Sequence, residues 1–297
     1  MPQNELDEIR FEGVALPARP QQSDPPAVTC QHLTKIYVAS SGRVLAVRGI
    51  DLEVEAGVTT AVVGPSGSGK SSLLRMLAAL EPPTAGSVEI AGTDLFSLST
   101  KERAQRRGAL LTHVYQRPGD NLIAHLTARQ QLRRLVDADL EGGRDLAGDT
   151  VLDTLSTLGL AHRIDHRPIE MSSGEQQRLA LARAAVAGHR LVIADEPTAQ
   201  LDAGNTRAVI ETMEHLAEKG VTVIVATHDQ RVLPHVRQVV TLRDGAVASV
   251  TTDGERLAVI DRSGRLQLPP DAIERFSTRR ALVEFDADND EVRIRRP

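Results

Sequence analysis

The alternation of apolar and polar positions divides the chain into short strands, helices and one long helical block. Short β-branched and apolar runs, separated by Gly and Ser-Gly turn signals, predict strands from "AVTCQHLTKIYV" to "VTTAVVG". A helix is predicted over residues 71–80, "GSVEIAGTDL" returns to strand, and residues 128–186 are mainly helical in pattern. Beyond them, the strands "RLVIADEP", "VTVIVATHD" and "QVVTLRDGAVAS" alternate with a helix over about 203–219 and with another helix after the second strand.

Strands that alternate with helices, several of them continuously apolar, are typical of a parallel sheet covered on both faces. The predicted fold class is therefore α/β. The helical block, about residues 118–187, is predicted to be an insertion into that core, and the core domain as a whole is assigned to residues 27–252.

The two ends of the chain differ from this core. Residues 1–26 are rich in Pro, Gln and acidic residues and lack periodicity, which predicts a disordered tail. After a boundary near 250–255, the pattern predicts two β-hairpins, the second around Asp-Asn-Asp, with a short helix in "LPPDAIERF" between them. Residues 253–297 are therefore predicted to form a small separate β-rich domain.

Composition narrows the class of protein. Apolar residues make up 41% of the chain and aromatic residues 2%, so the core is built mostly from Leu, Val, Ile and Ala. The formal charge of -5 argues against a dedicated nucleic-acid binder. Cys30 is the only cysteine, which excludes an internal disulfide and fits a reducing compartment. No apolar run approaches the ~18 residues of a membrane span, and the acidic N-terminus does not resemble a secretory signal. We expect a soluble intracellular chain that reaches a membrane only through a partner.

A phosphate-binding loop is the most specific motif. "GPSGSGKSS" runs from Gly64 through Lys70 to Ser72 and matches G-x-x-x-x-G-K-[ST] between a predicted strand and a predicted helix. Glycines allow consecutive N–H groups to point at phosphate oxygens, and the helix N-terminus adds its positive dipole end. The predicted nucleotide-binding residues are the whole loop and the start of the helix: Gly64, Pro65, Ser66, Gly67, Ser68, Gly69, Lys70, Ser71 and Ser72.

Two later strands end in residues suited to phosphoryl chemistry. "LVIADEP" ends in Asp195, placed to hold Mg²⁺, and in Glu196, placed to act as general base on a water. His228 ends "VIVATH" and is predicted to contact the γ-phosphate or to orient Glu196. Because ligands bind at the carboxyl ends of parallel strands, we expect these side chains to meet the phosphate loop.

The stretch "MSSGEQQR" precedes an apolar helical run. Ser172 fits an N-cap, and Glu175 three residues later completes a capping box. An ordinary helix start explains these two residues, but Ser173 and Gly174 add a bare tip rich in N–H donors, which is half of an anion site. The tip has no lysine or acid pair of its own, so its phosphate is expected to come from elsewhere.

Together these motifs closely resemble the ATP-binding subunits of ATP-binding cassette (ABC) transporters. "GPSGSGKS", Gln116 in "HVYQRPGDNL", "MSSGEQQRLALARA", "LVIADEPTAQLD" and "VATHD" fall in the family's order, and the resemblance covers about residues 28–250. It implies a P-loop NTPase core with an antiparallel β subdomain and an inserted helical subdomain. It also implies a head-to-tail homodimer in which each ATP lies between one phosphate loop and the other subunit's signature, residues 172–175.

The resemblance also assigns residue roles. Tyr37 is implied to stack on adenine, and Gln116 to sense Mg²⁺ and the γ-phosphate and to couple to membrane domains. Leu201 and Asp202 correspond to the D-loop, which communicates between the two sites. The implied sets are Glu196, His228, Lys70 and Gln116 for catalysis, and Ser71, Gln116 and Asp195 for Mg²⁺. Met171 and Ser173 replace the usual Leu and Gly, and a Cβ at Ser173 would crowd the phosphate if that residue needed a positive φ.

The implied partner is a separate integral-membrane permease. "EPTAQLD" and "HLTARQQL" look most like the MacB/LolD-type group, which implies an FtsX/MacB-like permease and a place on the inner face of the cell membrane. Residues 253–297 resemble an AbrB-like swapped-hairpin module; their nine Arg against ten acids give no basic face, so dimerisation is expected and DNA binding is not. The alternatives are a soluble ABC ATPase that acts on nucleic acid or protein complexes, and a regulatory ATPase that signals through a membrane protein.

Overall fold

The structure, a computed structural model, describes residues 9–11, 26–40, 42–140, 150–258, 282–286 and 291–295. It divides into two compact units, Pro25–Val259 and a smaller one that combines Met1–Asp24 with Ile260–Pro297.

The elements of the described residues are as follows. The strands are β1 (Ile9–Phe11), β2 (Val28–Ala39), β3 (Gly42–Val54), β4 (Thr59–Val63), β5 (Ala85–Ile90), β6 (Thr93–Asp94), β7 (Leu111–Val114), β8 (Leu191–Asp195), β9 (Thr222–Ala226), β10 (Gln238–Arg243), β11 (Ala246–Thr252), β12 (Glu255–Ala258), β13 (Leu282–Asp286) and β14 (Glu291–Arg295). The α-helices are α1 (Lys70–Leu77), α2 (Thr100–Leu110), α3 (Ala128–Leu140), α4 (Thr150–Thr157), α5 (Ser173–Val186) and α6 (Ala203–Glu218).

The larger unit is built on a seven-stranded sheet in the order β12-β11-β10-β4-β9-β8-β7. The strands from β10 to β7 pair in parallel, and β11 and β12 extend the sheet in antiparallel fashion. Because side chains alternate along a strand, Ile193 and Ile224 enter one core with α1, while Val192 and Val223 enter a second core with α6. The strands are thus buried on both faces, which explains their continuously apolar sequences.

Two further layers complete this unit. A four-stranded antiparallel sheet in the order β3-β2-β5-β6 shares the first core with α1. Helices α3, α4 and α5 surround a third core that includes Leu132, Leu155 and Leu179. The predicted α/β class, with an antiparallel β subdomain and an inserted helical subdomain, is confirmed.

The structure differs from the sequence-based prediction at three places in the chain. Ile9–Phe11 forms a strand that pairs with β14, so the prediction of a disordered tail over 1–26 is wrong for these residues. Strand β12 pairs with β11, which places the end of the core domain near 259 rather than at 252. The helix expected after His228 is only a short 3-10 turn, Leu233–His235.

The smaller unit contains one predicted feature. Strands β13 and β14 pair in antiparallel register, as expected for the second hairpin, and β1 adds a third strand beside β14. The first hairpin and the helix in "LPPDAIERF" fall within 259–281, outside the described residues apart from the start of the segment in β12. The likeness to an AbrB module stays a prediction.

Candidate functional site

The phosphate loop connects β4 to α1 at the carboxyl edge of the parallel strands. Its glycines adopt left-handed backbone angles, with φ of 151° at Gly64 and 99° at Gly69, the N-cap of α1. A Cβ on Gly64 would overlap the carbonyl oxygen of Leu242, and one on Gly69 that of Ala46. The nearby backbone carbonyls therefore leave room only for glycine at these two positions, whether or not a ligand is bound.

The amine of Lys70 lies inside the curve of this loop. Its Nζ donates to the carbonyl oxygens of Gly64 at 2.8 Å and Pro65 at 3.2 Å. The Oγ of Ser68 is buried there without a hydrogen-bond partner among the described residues, whereas Pro65, Ser66 and Gly67 are exposed. A cradle that holds a cation and an unpaired hydroxyl has the chemistry to receive anionic phosphate oxygens.

Ser71 and Asp195 form the oxygen-donor pair expected to hold Mg²⁺. The Ser71 side chain hydrogen-bonds the Asp195 carboxylate, which ends β8 in the neighbourhood of α1. Burial raises the pKa of Asp195, and the charge of Glu196 adds to this, while Ser71, Arg75 and Lys70 oppose it. A hydroxyl and a carboxylate fit Mg²⁺, which usually takes one or two protein oxygens together with phosphate and water. Within the described residues, no group of three His, Cys, Asp or Glu side chains forms a metal cluster.

Glu196 and His228 follow adjacent parallel strands and contact each other. The Nδ1 atom of His228 is 2.8 Å from Oε1 of Glu196, and the backbone N–H of His228 donates to Oε2 at 3.3 Å. Glu196 adopts a φ of 49°, a costly angle for a residue with a Cβ, and its own N–H donates to Ala226. The carboxylate is 13% exposed and the imidazole 73% exposed, so the acid is largely buried and its histidine partner is open to solvent.

Gln116 follows β7 and is exposed. The loop that carries it is fixed by Asn121, whose amide exchanges hydrogen bonds with the backbone of Tyr115 at 2.7 and 3.1 Å. The backbone carbonyl of Asn121 accepts a 2.7 Å hydrogen bond from the side chain of Arg183 on α5. Sequence reasoning missed Asn121 and Arg183, although a buried Asn beside the "RPGD" turn is a recognisable signal.

Tyr37 lies on β2, and its hydroxyl reaches the helix that carries the phosphate loop. The phenol donates to Glu81 at 3.0 Å and lies 3.3 Å from the Ser72 hydroxyl. Lys35 pairs with Glu81 at 2.9 Å, and its amine lies over the Tyr37 ring, 5.2 Å from the centroid. Lys35 and Glu81, which sequence reasoning missed, thus hold the ring predicted to stack on adenine. Val44, opposite Tyr37 in the register, adds an exposed apolar surface.

The signature tip begins α5 as the capping box requires. Ser172 has an extended φ of -65° and ψ of 160°, its Oγ accepts from the Glu175 N–H, and its own N–H donates back to Glu175. Ser173 is the exposed first residue of the helix, and its φ is not positive. The condition under which a Cβ at this position would crowd the phosphate is therefore not met. Met171 is buried in the core of the helical subdomain.

Two further contacts support the tip, and neither was foreseen from the sequence. Gly174 packs against the side chain of Asn205 at the start of α6. The Glu175 carboxylate receives a 2.8 Å hydrogen bond from Arg163. Burial opposes the charge of Glu175, but the hydrogen bonds from Arg163 and Ser172 outweigh it and lower its pKa to about 2.

The D-loop residues lead into α6. Asp202 is its N-cap and accepts from the N–H of Asn205 at 2.8 Å, while Leu201 is half-buried against the second core. Gln200, just before them, has a φ of 62°.

The structure therefore assembles one group of predicted residues and leaves another apart. Lys70, Ser71, Asp195, Glu196 and His228 converge at the carboxyl edge of β4, β8 and β9. Across the described part of the chain, no hydrogen bond or ion pair joins residues 172–175 to this group. Helix α5 packs on α3, α4 and α6 and also on strands β7 and β8.

The sequence matches the family described as "ABC transporter" over residues 47–199. The lipoprotein-releasing system ATP-binding protein LolD of Geobacter metallireducens is 39% identical over 219 residues, 73% of this chain and 96% of that protein. The macrolide export ATP-binding/permease protein MacB of Escherichia coli K12 is 35% identical over 75% of this chain and 34% of its own length. Among solved structures, a dimeric post-hydrolysis state of the ATP-binding cassette MJ0796 with ADP and Pi superposes with a TM-score of 0.66 at 29% identity, over 76% of this chain and 98% of that one. None of the helices in the described part of the chain is both long and apolar enough to span a bilayer.

Proposed function

Because the chain belongs to the ABC transporter family, in which it is an ATP-binding and ATP-hydrolysing subunit, we propose that it acts as a head-to-tail homodimer that drives a separate membrane permease. The observation that carries the proposal is the division of the site within one chain. The groups for phosphate, metal and water activation converge on one sheet edge, whereas the exposed donor tip at 172–173 is bonded to none of them.

A second subunit resolves this division. In a head-to-tail dimer, the tip of the partner subunit faces the phosphate loop of the first, and each triphosphate is enclosed by both. Dimeric cassettes among the similar solved structures support the arrangement. ATP binding then closes the dimer, and hydrolysis with release of phosphate opens it.

The residues at the sheet edge account for the chemistry of hydrolysis. The loop N–H groups and Lys70 neutralise charge that develops on the phosphoryl oxygens, and Ser172 of the partner subunit completes this set. Glu196, held by His228, orients the attacking water and accepts its proton. Ser71, Asp195 and Gln116 are the residues that would hold Mg²⁺, which would supply positive charge to the phosphate oxygens.

The permease is proposed from the surface around Gln116 and from the similar proteins. Tyr115 and Ile123, on either side of the loop fixed by Asn121, each expose 44% of their surface. These side chains are exposed beside Gln116, the residue proposed to contact the nucleotide. A partner bound to them would therefore respond to whether ATP is present in the site. Both similar proteins are named as ATP-binding proteins, and the name of MacB also includes a permease, so we infer a partner of the FtsX/MacB-like permease kind. We place the chain in the cytoplasm, on the inner face of the cell membrane.

The smaller unit is proposed to keep two subunits together when ATP has left. Its described part is a three-stranded sheet in which the two ends of the chain pair. Because β12 belongs to the core sheet, the truncation that tests this role ends after Ala258. If the truncated and full-length chains have the same dimer dissociation constant without nucleotide, the unit has no such role.

The experiment for the transport function compares two matched surface variants. Full-length chain carrying Glu196→Gln is purified with MgATP from detergent-solubilised membranes of its own host, with Ile123→Ser or Leu152→Ser added. Leu152 is 40% exposed against 44% for Ile123, and lies on α4 rather than in the loop that carries Gln116. We expect an integral-membrane protein to co-purify with the parent and with Leu152→Ser, but not with Ile123→Ser. Equal recovery in all three, or no membrane protein together with a gel shift of random DNA at physiological salt, contradicts the proposal.

A further inference from the structure

A carboxylate lies close to the tip on which the proposed dimer places a triphosphate. Glu175 is the third residue of α5, one turn from the exposed tip formed by Ser172 and Ser173. A negative charge this close to phosphate groups opposes their binding, and the low dielectric of a closed interface strengthens the opposition. The tip therefore needs a feature that removes the effect of this charge.

The helical subdomain supplies that feature through a neighbouring turn. Arg163, in the 3-10 turn Ala161–Arg163, places its Nε 2.8 Å from Oε1 of Glu175. The Nε2 of His162 lies 3.3 Å from the same oxygen, while Oε2 accepts from the N–H of Ser172. The Glu175 side chain is 10% exposed, and that of Arg163 is 31% exposed, so the carboxylate is the more buried member of the pair.

We propose that Arg163 is a positioning residue whose charge balances Glu175, so that trapping of ATP by the partner's tip depends on this pair. The inference rests on the proposed head-to-tail site. With both residues present, the pair contributes no net charge to the surface that meets the γ-phosphate, and the N–H donors and the dipole of α5 act on the phosphate unopposed.

The charge-balance role differs from a purely structural brace in one measurable respect. If Arg163 only holds the tip in place, its loss weakens ATP trapping, and replacing Glu175 as well cannot restore the trapping. If Arg163 balances charge, a second substitution Glu175→Gln removes the charge that needed balancing. Glutamine retains the capping box with Ser172, so the helix start is preserved in the double variant.

The experiment measures how slowly the full-length chain releases ATP. A Glu196→Gln parent, expected to bind ATP and to hydrolyse it very slowly, is loaded with a fluorescent ATP analogue and Mg²⁺ and chased with excess ATP. The release rate is compared for the parent, Arg163→Gln, Glu175→Gln, the double variant and Arg163→Lys. The release rate reports closure of the head-to-tail dimer around ATP, even if another part of the chain already holds the two subunits together.

We expect Arg163→Gln to release the analogue about tenfold faster than the parent, as like-charge repulsion in an interface predicts. The double variant should release it within about threefold of the Glu175→Gln rate, because no carboxylate is left to balance, and Arg163→Lys should retain most of the trapping because it retains the charge.

The outcomes separate the inference from the proposal beneath it. A parent that releases ATP as fast as an open monomer overturns the composite site, and this inference with it. A parent that traps ATP, together with an Arg163→Gln variant that traps it equally well, overturns the inference alone. So does a double variant that releases the analogue about tenfold faster than Glu175→Gln alone, because Arg163 then matters without any charge to balance.

A matched pair elsewhere controls for the general effect of removing charges. Arg207 and Glu211 on α6 are also an Arg–Glu pair, with Nε 2.9 Å from Oε1, and both are exposed. The same cycle, with Arg207→Gln and Glu211→Gln, should leave the release rate unchanged in all members. Thermal unfolding of each variant checks that the compared proteins are folded.

Discussion

The side chain of Asn205 packs directly on the Cα of Gly174. A Cβ built on Gly174 would lie 2.5 Å from Cγ and 2.6 Å from Cβ of Asn205, closer than real contacts allow. Asn205 is itself held by Asp202, through its N–H at 2.8 Å and its amide at 2.7 Å. The tip proposed to serve the partner's ATP is therefore in contact, within one subunit, with the cap of the helix that follows the D-loop.

This contact predicts that glycine is required at 174 and not at 173. Gly174→Ala should lower the free energy of unfolding by roughly 1–3 kcal/mol, the cost of overpacking, and should slow ATP turnover by displacing α5 from α6. Ser173→Gly should leave turnover within about twofold, because Ser173 is an ordinary exposed first helical residue. Urea unfolding and steady-state hydrolysis measure both.

A third substitution serves as control for that pair. A Cβ on Gly204, in the first turn of α6, would meet only the Asp202 carboxylate at 3.4 Å, an ordinary contact. Gly204→Ala should therefore be neutral or stabilising. If Gly174→Ala is as stable and as active as Gly204→Ala, the close packing on Asn205 has no functional weight.

Glu196 is predicted to be the general base. Glu196→Gln should lower the turnover number for ATP by about 10²- to 10³-fold while ATP binding is retained, because the amide keeps the shape of the side chain and cannot accept the proton. As a control, Glu218→Gln makes the same change at an exposed position at the end of α6, and this variant should hydrolyse ATP at the wild-type rate. Equal turnover by Glu196→Gln and wild type would exclude the assignment.

His228 is predicted to act through Glu196 rather than through the fold. Because its side chain is 73% exposed, His228→Ala should change the free energy of unfolding by less than about 0.5 kcal/mol. It should lower turnover by about tenfold or more, since the carboxylate loses the group that holds it at 2.8 Å. In a chain that already carries Glu196→Gln, His228→Ala should lower ATP turnover little further. If the two substitutions together lowered turnover by the product of their separate effects, the two residues would have independent roles.

The ion pair of Glu175 predicts a dependence of stability on acidity. Its pKa in the folded chain is about 2, below the ordinary 4.5, so its contribution is fully present above pH 4.5 and is lost as the pH falls toward 2. Wild type should unfold at a higher temperature than Glu175→Gln at pH 6, and the difference should shrink between pH 4.5 and pH 2. A difference that stays constant over this range would contradict the depressed pKa.

Much of the fold was predictable because burial on two faces produces a plain sequence pattern. The continuously apolar β4, β8 and β9 were recognised, and so was α6, whose buried residues recur at helical spacing. Helix α2 was missed because it buries no residue and so has no apolar period, although the capping box of Ser99 and Glu102 marks its start. The three-residue strand β1 was missed because its stability comes from pairing with β14 at the other end of the chain.

The candidate site divides in the same way. The positions of residues that a short motif carries, such as Lys70 and Glu196, were predictable because they depend on local spacing and on the sheet edge. Residues that support them were not. Glu81 holds Tyr37 from 44 positions away, and Arg163 reaches Glu175 across 12 positions and an intervening turn. Only the tertiary structure brings such pairs together, and no local pattern records them.

Two variants that are each inactive provide the most direct test of the composite site. Lys70→Ala removes the phosphate ligand of its own loop but leaves its signature tip intact. Ser173→Glu keeps a good first helical residue, and so keeps the fold, but presents an uncompensated carboxylate to the partner's phosphate. Neither homodimer retains an intact site, whereas a mixed dimer retains one.

Turnover of ATP by the mixture, measured after the subunits have exchanged, decides the question. If each ATP is held by two subunits, an equal mixture of the variants should recover about a quarter of the wild-type rate, because half of the dimers are mixed and each has one working site. A mixture as inactive as its separate components, although mass analysis shows mixed dimers, would contradict the account.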